Sequence, residues 1–379
     1  MQHLFSALTA CGLAAAILFA GRMIAIHLEH STLPSTAPEL FPVKTQGLAF
    51  QRAAAHARDV LPLYGSSELL WPKRERACDF FRTAPTGFQV SAVGKPGTTS
   101  MIILQKLGAL GLDMRGKKLA ISLSPSSFLT FATNADWYEG SFSLFAANEM
   151  VFGSALDFEL KRAIASRMLQ FPRTLAKSPL LEFALRRLAS GRWLDQIVFY
   201  ALWPLGKIQN AILDLQDHFA ALAYVLHETE STPRRHPEML DWPKLIAKVG
   251  ERKLADKEDK IPPWLRAGFV ARVNSAPEWM DLELLLRALA TIHARPLLLS
   301  MPMDGQCYNR GGVSRSAREV YYKKMRAFAQ RYNFALVEFE EHDDDPAFLD
   351  RQHVHLTAKG SMFYNRALDD FFHDRPPER

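Results

Sequence analysis

Two adjacent serines follow a short apolar run near residue 65. The stretch LPLYGSSELLW, Leu61 to Trp71, passes Gly65 and then presents Ser66 and Ser67. A serine in the first turn of a helix can act as a nucleophile, because backbone N–H groups there stabilise developing negative charge. It can equally cap the helix without taking part in chemistry. The stretch leaves both interpretations open, and it lacks the second glycine of the G-x-S-x-G elbow of α/β-hydrolases.

A second group of reactive side chains lies late in the chain, in DRQHVHLTAKG. A serine nucleophile needs an imidazole base and usually a carboxylate that fixes the imidazole tautomer, and Asp350, His353 and His355 supply both. The two histidines alternate in an apparently extended segment, so we expect only one of them to reach the serine. A metal site with residues 343–345 is disfavoured, because no third ligand has a specific spacing and the acidic run is typical of a solvated loop.

Short strand-like runs alternate with helix-period segments along most of the chain, which is typical of a parallel α/β sheet. The predicted strands are 60–64, 88–93, 118–123, 296–300 and 334–339, and the predicted helices around them are 67–81, 99–110, 316–332 and 357–372. Residues 135–294 are mostly helix-like, which predicts a large helical insertion with a solvated connection at 248–260. Four segments follow predicted strands: the two serines, GKPGTTS, MPMDGQCYNRGG and the histidine segment. We therefore expect them to converge at the carboxyl edge of the sheet.

The N-terminus predicts a membrane anchor. Residues 4–21 carry no charged side chain, and residues 1–28 are long enough to cross a bilayer as a helix. A cleaved signal peptide is the alternative, but no Lys or Arg precedes the apolar run. Residues 29–44 contain many Pro, Ser and Thr residues and predict a linker, so the folded domain is expected at 45–379. The flanking charges do not fix the orientation of the anchor.

The composition excludes some classes of protein. Of 379 residues, 48% are hydrophobic and 23% are charged, as in ordinary globular proteins. The net charge of +6 comes without a basic block, so nucleic-acid binding is not supported, whereas an anionic surface or substrate is. Cys11 lies in the anchor, and we expect Cys78 and Cys307 to be separate buried thiols, with pairing as the alternative.

Three stretches in order resemble the D-alanine transfer protein family, DltD, whose fold is similar to that of the SGNH (GDSL-type) esterases. YGSSEL resembles the serine block of that family, and HLTAKG resembles its histidine block. MPMDGQCYNRGG with the following SAREVYY resembles its P-x-N/D-G-x-x-Y loop and the next helix. The resemblance covers about residues 55–130 and 295–372 and implies an SGNH-like parallel sheet flanked by helices.

The resemblance also implies catalytic roles. Ser67 matches the nucleophile, with Ser66 as the alternative, and His355 matches the catalytic histidine. The family's acid lies three residues before that histidine, where this chain has Gln352. Asp350 is therefore the expected acid.

Which histidine Asp350 orients is left open, since the Asp-x-x-His spacing is met by His353. The Gly97 amide matches the oxyanion donor of the superfamily, together with the Ser67 amide, while SPSS stands where the usual Asn donor would follow strand three. We expect substrate contacts around the loop after the fourth strand from Asp304, Tyr308, Arg310 and Arg318.

The function implied by the resemblance is D-alanyl transfer to an anionic envelope polymer or glycolipid, such as a teichoic acid or a lipopolysaccharide. It would proceed without a cofactor or metal, outside the cytoplasmic membrane, in a single-pass anchored protein that works with a membrane-bound O-acyltransferase. Two alternatives are a D-alanyl esterase or thioesterase, and a non-catalytic donor-binding partner of the acyltransferase. The sequence does not identify the acceptor or the oligomeric state.

Overall fold

The computed structural model describes residues 2–226, 238–250, 268–350 and 352–376. One parallel sheet contains β1 (Val60–Gly65), β2 (Gln89–Gly94), β3 (Lys118–Leu123), β4 (Arg295–Ser300) and β5 (Ala335–Glu338). The strand order is β2-β1-β3-β4-β5. Each predicted strand is present, with both of its ends within one residue of the expected position. The predicted α/β class with a parallel sheet flanked by helices is therefore confirmed.

The sheet separates two hydrophobic cores. Alternate residues of a strand face opposite sides of a sheet. Accordingly, Leu119 and Ile121 of β3 pack in the larger core and Ala120 packs in the smaller one. Both faces are covered by helices, which explains why the strands read as continuous apolar runs.

The α-helices cover both faces of this sheet. In chain order, the described residues contain α1 (Gln2–Thr36), α2 (Pro42–Gln46), α3 (Ala49–His56), α4 (Ala77–Thr83), α5 (Ser100–Leu110), α6 (Ala135–Ser141), α7 (Leu144–Phe152), α8 (Phe158–Met168), α9 (Pro172–Leu175), α10 (Pro179–Ser190), α11 (Trp193–Val225), α12 (Trp242–Gly250), α13 (Phe269–Ser275), α14 (Glu278–Thr291), α15 (Gly305–Arg310), α16 (Arg315–Tyr332) and α17 (Ala358–Phe372). Helices α6 to α14 lie between β3 and β4, where the helical segment was predicted. The expected connection at 248–260 lies outside the described residues from 251 onward.

Local sequence accounts for several helix ends. Ser178 caps α10 by accepting the Leu181 N–H at 3.2 Å, and Pro179 occupies the first turn, where its missing N–H costs nothing. Gly191 ends the same helix in the left-handed conformation with φ +66°. Helix α17, which follows the histidine segment, is capped by Thr357, whose side chain accepts the Gly360 N–H at 3.2 Å.

Helix α5 lies in the middle of the molecule. Its pattern predicts one apolar face, but all eleven of its residues are buried, because α7 and α14 of the helical segment pack on it. The Ser100 N–H at its start donates to the Glu278 carboxyl at 2.7 Å. Burial raises the pKa of Glu278, with the nearby Asp281 acting in the same direction.

The N-terminal helix differs from the expectation. Helix α1 extends to residue 36, and in place of a linker at 29–44 the chain is largely helical and packed. Leu33 and Ala37 contact Ala53 and Ala54 of α3, and the buried Lys44 ammonium donates to the Ala37 carbonyl at 2.8 Å. These contacts override the Pro- and Ser-rich composition on which the linker prediction rested.

The structure places the apolar N-terminal segment and the cysteines. Residues 3–36 form a helix long and apolar enough to cross a membrane, and so a candidate anchor; a signal sequence shares these properties. Cys78 and Cys307 are both buried, as expected. Cys78 packs in the smaller core, on the opposite side of the sheet from most of the helical segment.

Candidate active site

The serine turn follows β1 directly. The predicted helix at 67–81 is absent: Ser67 opens a 3-10 turn that ends at Leu69, and α4 begins only at Ala77. Pro72 explains the interruption, because it has no N–H to donate and disfavours a helical residue before it. Ser67 therefore does not lie at the N-terminus of a long helix, and the helix-dipole argument for its reactivity does not hold.

Glu68 fixes the conformation of this turn. Its buried carboxylate accepts the Ser66 N–H at 2.7 Å. A side chain at Gly65 would meet the same carboxylate, since a Cβ there would lie 2.4 Å from Oε1. Burial raises the pKa of Glu68 despite this hydrogen bond. Glu68 was not among the residues expected at the site, although an acid directly after two serines in an otherwise apolar run is a signal that the sequence contains.

The hydroxyl of Ser67 lies beside His355. Its Oγ is 3.2 Å from His355 Nε2, and His355 Nδ1 is 3.4 Å from Asp350 Oδ2. The three side chains therefore stand in the order that a serine, a general base and an orienting carboxylate require. The structure brings together the serine, histidine and acid that the sequence favoured.

A tight turn of the backbone supports this arrangement. The Asp350 N–H donates to the His355 carbonyl at 2.7 Å, and the His355 N–H donates to the Asp350 carboxylate at 3.3 Å. Leu349 and Leu356 pair as an isolated antiparallel bridge just outside these two residues. The turn therefore places the Asp350 carboxylate beside the His355 imidazole although the two residues are five positions apart. In the family pattern the acid lies three positions before the histidine.

Asp350 is suited to remain ionised. Burial opposes ionisation, but the hydrogen bond and the charge of His355 outweigh it and hold the pKa of the Asp350 carboxyl below its ordinary value. An ionised carboxylate stabilises the imidazolium that forms when His355 takes the serine proton.

The site opens into a groove. Trp71 stacks obliquely on His355 with ring centroids 5.2 Å apart, and it is 46% exposed. An open cavity of ≈ 550 Å³ lies here, lined by Trp71, Pro72, Asp350, Gln352, His355, Leu356 and Thr357. Its size falls in the range of small-molecule sites.

The second serine has other partners. Ser66 Oγ accepts the Gly97 N–H at 3.0 Å and donates to the Lys95 carbonyl at 3.4 Å, both in the loop after β2. Its side chain makes no capping hydrogen bond to the turn. Ser66 thus joins two loops, while Ser67 contacts the histidine.

Gly97 was expected as an oxyanion donor, and its amide is instead engaged by Ser66 in this conformation. Gly97 has φ +81°, and a Cβ there would lie 2.6 Å from the Trp137 ring. Both the backbone conformation and the space therefore require glycine at this position.

His353 belongs to a different cluster. Its Nδ1 lies 2.9 Å from Asp304 Oδ2, and both residues are 4% exposed. Its φ of +65° shows a turn, so the expectation of an extended segment was wrong. The two rings nevertheless have different partners. Among the residues that the structure describes, no three His, Cys, Asp or Glu side chains gather as for a metal ion.

The expected substrate contacts are mostly buried. Asp304 caps α15 by accepting the Cys307 N–H at 2.9 Å, and Tyr308 is 2% exposed. Arg318 is 1% exposed and bonds to Asp343, Asn309 and the Val313 carbonyl. These three side chains support the loop after β4 from inside and do not face a substrate.

Of the four expected contacts, only Arg310 is exposed. The acidic run is only partly the solvated loop that was expected: Glu341 and Asp344 are exposed, but Asp343 is buried. Asp343 is 7% exposed, and its carboxylate accepts the Met303 N–H at 2.9 Å as well as bonding to Arg318.

A small cavity lies behind the serine turn. Its volume of ≈ 20 Å³ is enough for about one water molecule. The polar side chains that line it include Glu68, Arg76, Ser122, Ser361, Tyr364 and Asn365. Trp71 and Leu356 line both this cavity and the open groove beside His355.

Comparisons with known proteins identify the family of this chain. The chain is 26% identical to protein DltD of Bacillus subtilis over 94% of this chain and 95% of that protein. It is 23% identical to protein DltD of Staphylococcus aureus over 90% and 88%, and 20% identical to that of Lacticaseibacillus rhamnosus over 84% and 78%. The family profile described as DltD protein matches residues 37–261 and 268–373. The chain therefore belongs to the DltD family.

Proposed function

We propose that this protein transfers D-alanyl groups to an anionic polymer or glycolipid of the cell envelope through an ester on Ser67. The observation that carries the proposal is the continuous contact from Ser67 through His355 to Asp350. The link of the DltD family to D-alanylation of teichoic acids supports the choice of acyl group and acceptor class.

The first half of the reaction forms the ester. His355 Nε2 accepts the Ser67 proton while Oγ attacks the carbonyl carbon of a D-alanyl ester or thioester donor. The tetrahedral intermediate collapses, the bond to the leaving oxygen or sulfur breaks, and His355 returns the proton to that leaving group. Asp350 keeps the imidazole oriented and stabilises its positive charge in both steps.

The second half transfers the group. A hydroxyl of the acceptor enters the open groove beside Trp71, and His355 removes its proton as it attacks the ester. Ser67 leaves as the alcohol and regains the proton from His355. Water in place of the acceptor hydroxyl would make the same site an esterase, so the competition between the two nucleophiles decides the activity.

The proposal places the catalytic domain outside the cytoplasmic membrane, held by α1. An anionic acceptor agrees with the net charge of +6 and with the exposed Arg310 and Arg315 beside the loop after β4. The donor would come from a membrane-bound O-acyltransferase on the same side.

The test uses the full chain in detergent with a thioester of D-alanine and purified lipoteichoic acid. We expect D-alanine on Ser67 in a quenched reaction, found by peptide mass spectrometry, and D-alanyl polymer as the product. Ser67→Ala should lose both signals, whereas the neighbouring Ser66→Ala, as the matched control, should keep the ester. Free D-alanine formed at the same rate with and without polymer would instead identify a hydrolase. Full transfer by a folded Ser67→Ala variant would refute catalysis by this serine.

A further inference from the structure

Helix α11 presents a long apolar face outward. Every exposed position from 193 to 213 carries an apolar or aromatic side chain. The face includes Trp193, Leu194, Ile197, Trp203, Ile208 and Ile212, each between 38% and 69% exposed. An uninterrupted surface of this kind on a folded protein marks an interaction site.

The opposite side of α11 fixes this orientation. Phe199 stacks on Phe152 of α7 with ring centroids 5.8 Å apart, and a Cβ at Gly206 would lie 2.2 Å from the Phe152 ring. Asn210 Oδ1 accepts a hydrogen bond from the Asn148 side chain at 2.6 Å. The apolar face therefore cannot turn inward without breaking this packing.

The two charged side chains of α11 between residues 193 and 213, Asp195 and Lys207, are engaged by neighbouring groups. Asp195 accepts a hydrogen bond from Arg187 of α10 at 2.7 Å. The Lys207 ammonium lies 3.5 Å from the Glu149 carboxylate and 5.5 Å from the centre of the Trp203 ring. Protein interfaces carry about one hydrogen bond per 100–200 Å², and the exposed positions of this face between 193 and 213 offer no charged or amide side chain, so its composition favours lipid over a protein partner.

The contact between α1 and α11 indicates where the lipid would be. Arg22 Nε donates to Asp214 at 2.8 Å, and Glu29 pairs with His218 at 2.8 Å. From residue 22 to residue 29 of α1, the contacted position on α11 moves from residue 214 to residue 218. The two helices therefore run in the same direction. The exposed stretch 3–20 of α1 and the apolar face of α11 both precede this contact and therefore lie on the same side of it.

We propose that the apolar face of α11 lies in the lipid of the membrane that α1 crosses. The stretch 3–20 of α1 is roughly 27 Å long, close to the hydrocarbon thickness of a bilayer. Helix α11 does not cross, because its other side belongs to the folded domain. Its exposed tryptophans suit the interfacial region, and the exposed Arg192 at its start suits anionic headgroups.

This second contact would act together with the packing of α1 on α11 to fix the orientation of the domain on the membrane. It does not depend on the chemistry at Ser67, so its failure and the failure of D-alanyl transfer are separate outcomes.

The test uses the full chain in vesicles of phosphatidylethanolamine and phosphatidylglycerol. Cys11→Ser removes the exposed native thiol, while Cys78 and Cys307 are buried. Single cysteines at Ile197 and Ile208 then carry an environment-sensitive fluorophore. The matched control is the same label at Gln330, an exposed position on α16. A melting temperature equal to that of the parent shows that each labelled chain is folded.

We expect the labels at 197 and 208 to be quenched several-fold more strongly by nitroxide lipids than the label at 330, and less by aqueous iodide. Equal behaviour of all three labels would overturn the proposal. Protection from iodide without quenching by nitroxide lipids would also overturn it, because a second copy of the chain would then cover the face. Labels at 197 and 208 that iodide quenches in vesicles but not in native membranes would also overturn the proposal, because a membrane protein would then cover the face.

Discussion

The Nδ1 atom of His353 lies 2.9 Å from a carboxylate oxygen of Asp304, 49 residues earlier in the chain, and both side chains are buried. The pair joins the loop after β4 to the turn that carries His355. Asp304 also caps α15. One carboxylate therefore holds the segment that positions the general base, without contacting Ser67 itself.

We predict that Asp304→Ala lowers activity by displacing this turn, and costs about 3 kcal/mol of stability because the buried His353 loses its partner. Thermal unfolding and the rate of ester formation on Ser67 measure the two effects. Asp304→Asn can still cap α15 and hydrogen-bond to His353, so this variant should keep most of the activity and most of the stability. A His353→Ala variant whose activity is lost as completely as in His355→Ala, at unchanged stability, would contradict a purely positioning role.

Asp350→Asn tests the carboxylate beside His355. The neutral amide cannot stabilise the imidazolium, and we expect kcat to fall about 10²- to 10⁴-fold. A change in KM alone would argue against this role.

The loss of stability caused by Asp350→Asn should depend on pH in a defined direction. Because the folded-state pKa of Asp350 is depressed, its contribution to stability is present above the ordinary carboxyl pKa and is lost as the pH falls through the folded-state value. We therefore expect Asp350→Asn to melt below the wild type at pH 6 and the difference to shrink below about pH 4. A difference that grows on acidification would contradict the ionised state.

Gly97→Ala tests the loop that faces the serines. Alanine would have to adopt φ +81° and would also meet Trp137, so we expect the loop to shift and ester formation to slow by at least tenfold. Gly116→Ala is the matched control, because Gly116 has φ +70° but no atom within 4 Å of a Cβ. That variant should lose only about 1 kcal/mol of stability and no activity. Equal losses in the two variants would show that backbone strain alone matters.

The sequence predicted the sheet well because each strand is a buried apolar run bounded by turn residues, and these signals are local. The convergence of the serines and the histidines was expected because they follow strands that end at the same edge, whereas the choice of Ser67 and His355 came from the resemblance to the family. The break in the expected helix after Ser67 was also predictable, because Pro72 is a local helix-breaking residue. The sequence could not show that Gly97 donates to Ser66, since that contact spans 31 positions.

The errors at Arg318 and Asp343 have a common cause. A charged residue in a polar stretch is usually solvated, and burial of one is recognisable only once its partner is known. Arg318 and Asp343 lie 25 positions apart, with β5 between them, so no local pattern connects them.

This buried pair provides the last prediction. Arg318 Nε lies 3.1 Å from Asp343 Oδ2, and burial raises the pKa of Asp343 to about 6 although Tyr322, Met303 and Arg318 all favour its charged form. Arg318→Met would leave that carboxylate without its cation, so we expect a loss of about 3–5 kcal/mol at neutral pH.

A second substitution, Asp343→Asn, in the Arg318→Met background should recover part of this loss, because it removes the uncompensated charge. The four proteins of the cycle, unfolded in urea at pH 7.5, measure the coupling between the two residues. Since acidification protonates Asp343, the penalty of Arg318→Met should also decrease from pH 7.5 to pH 5. Additive losses that are independent of pH would show that the two side chains contribute through packing alone.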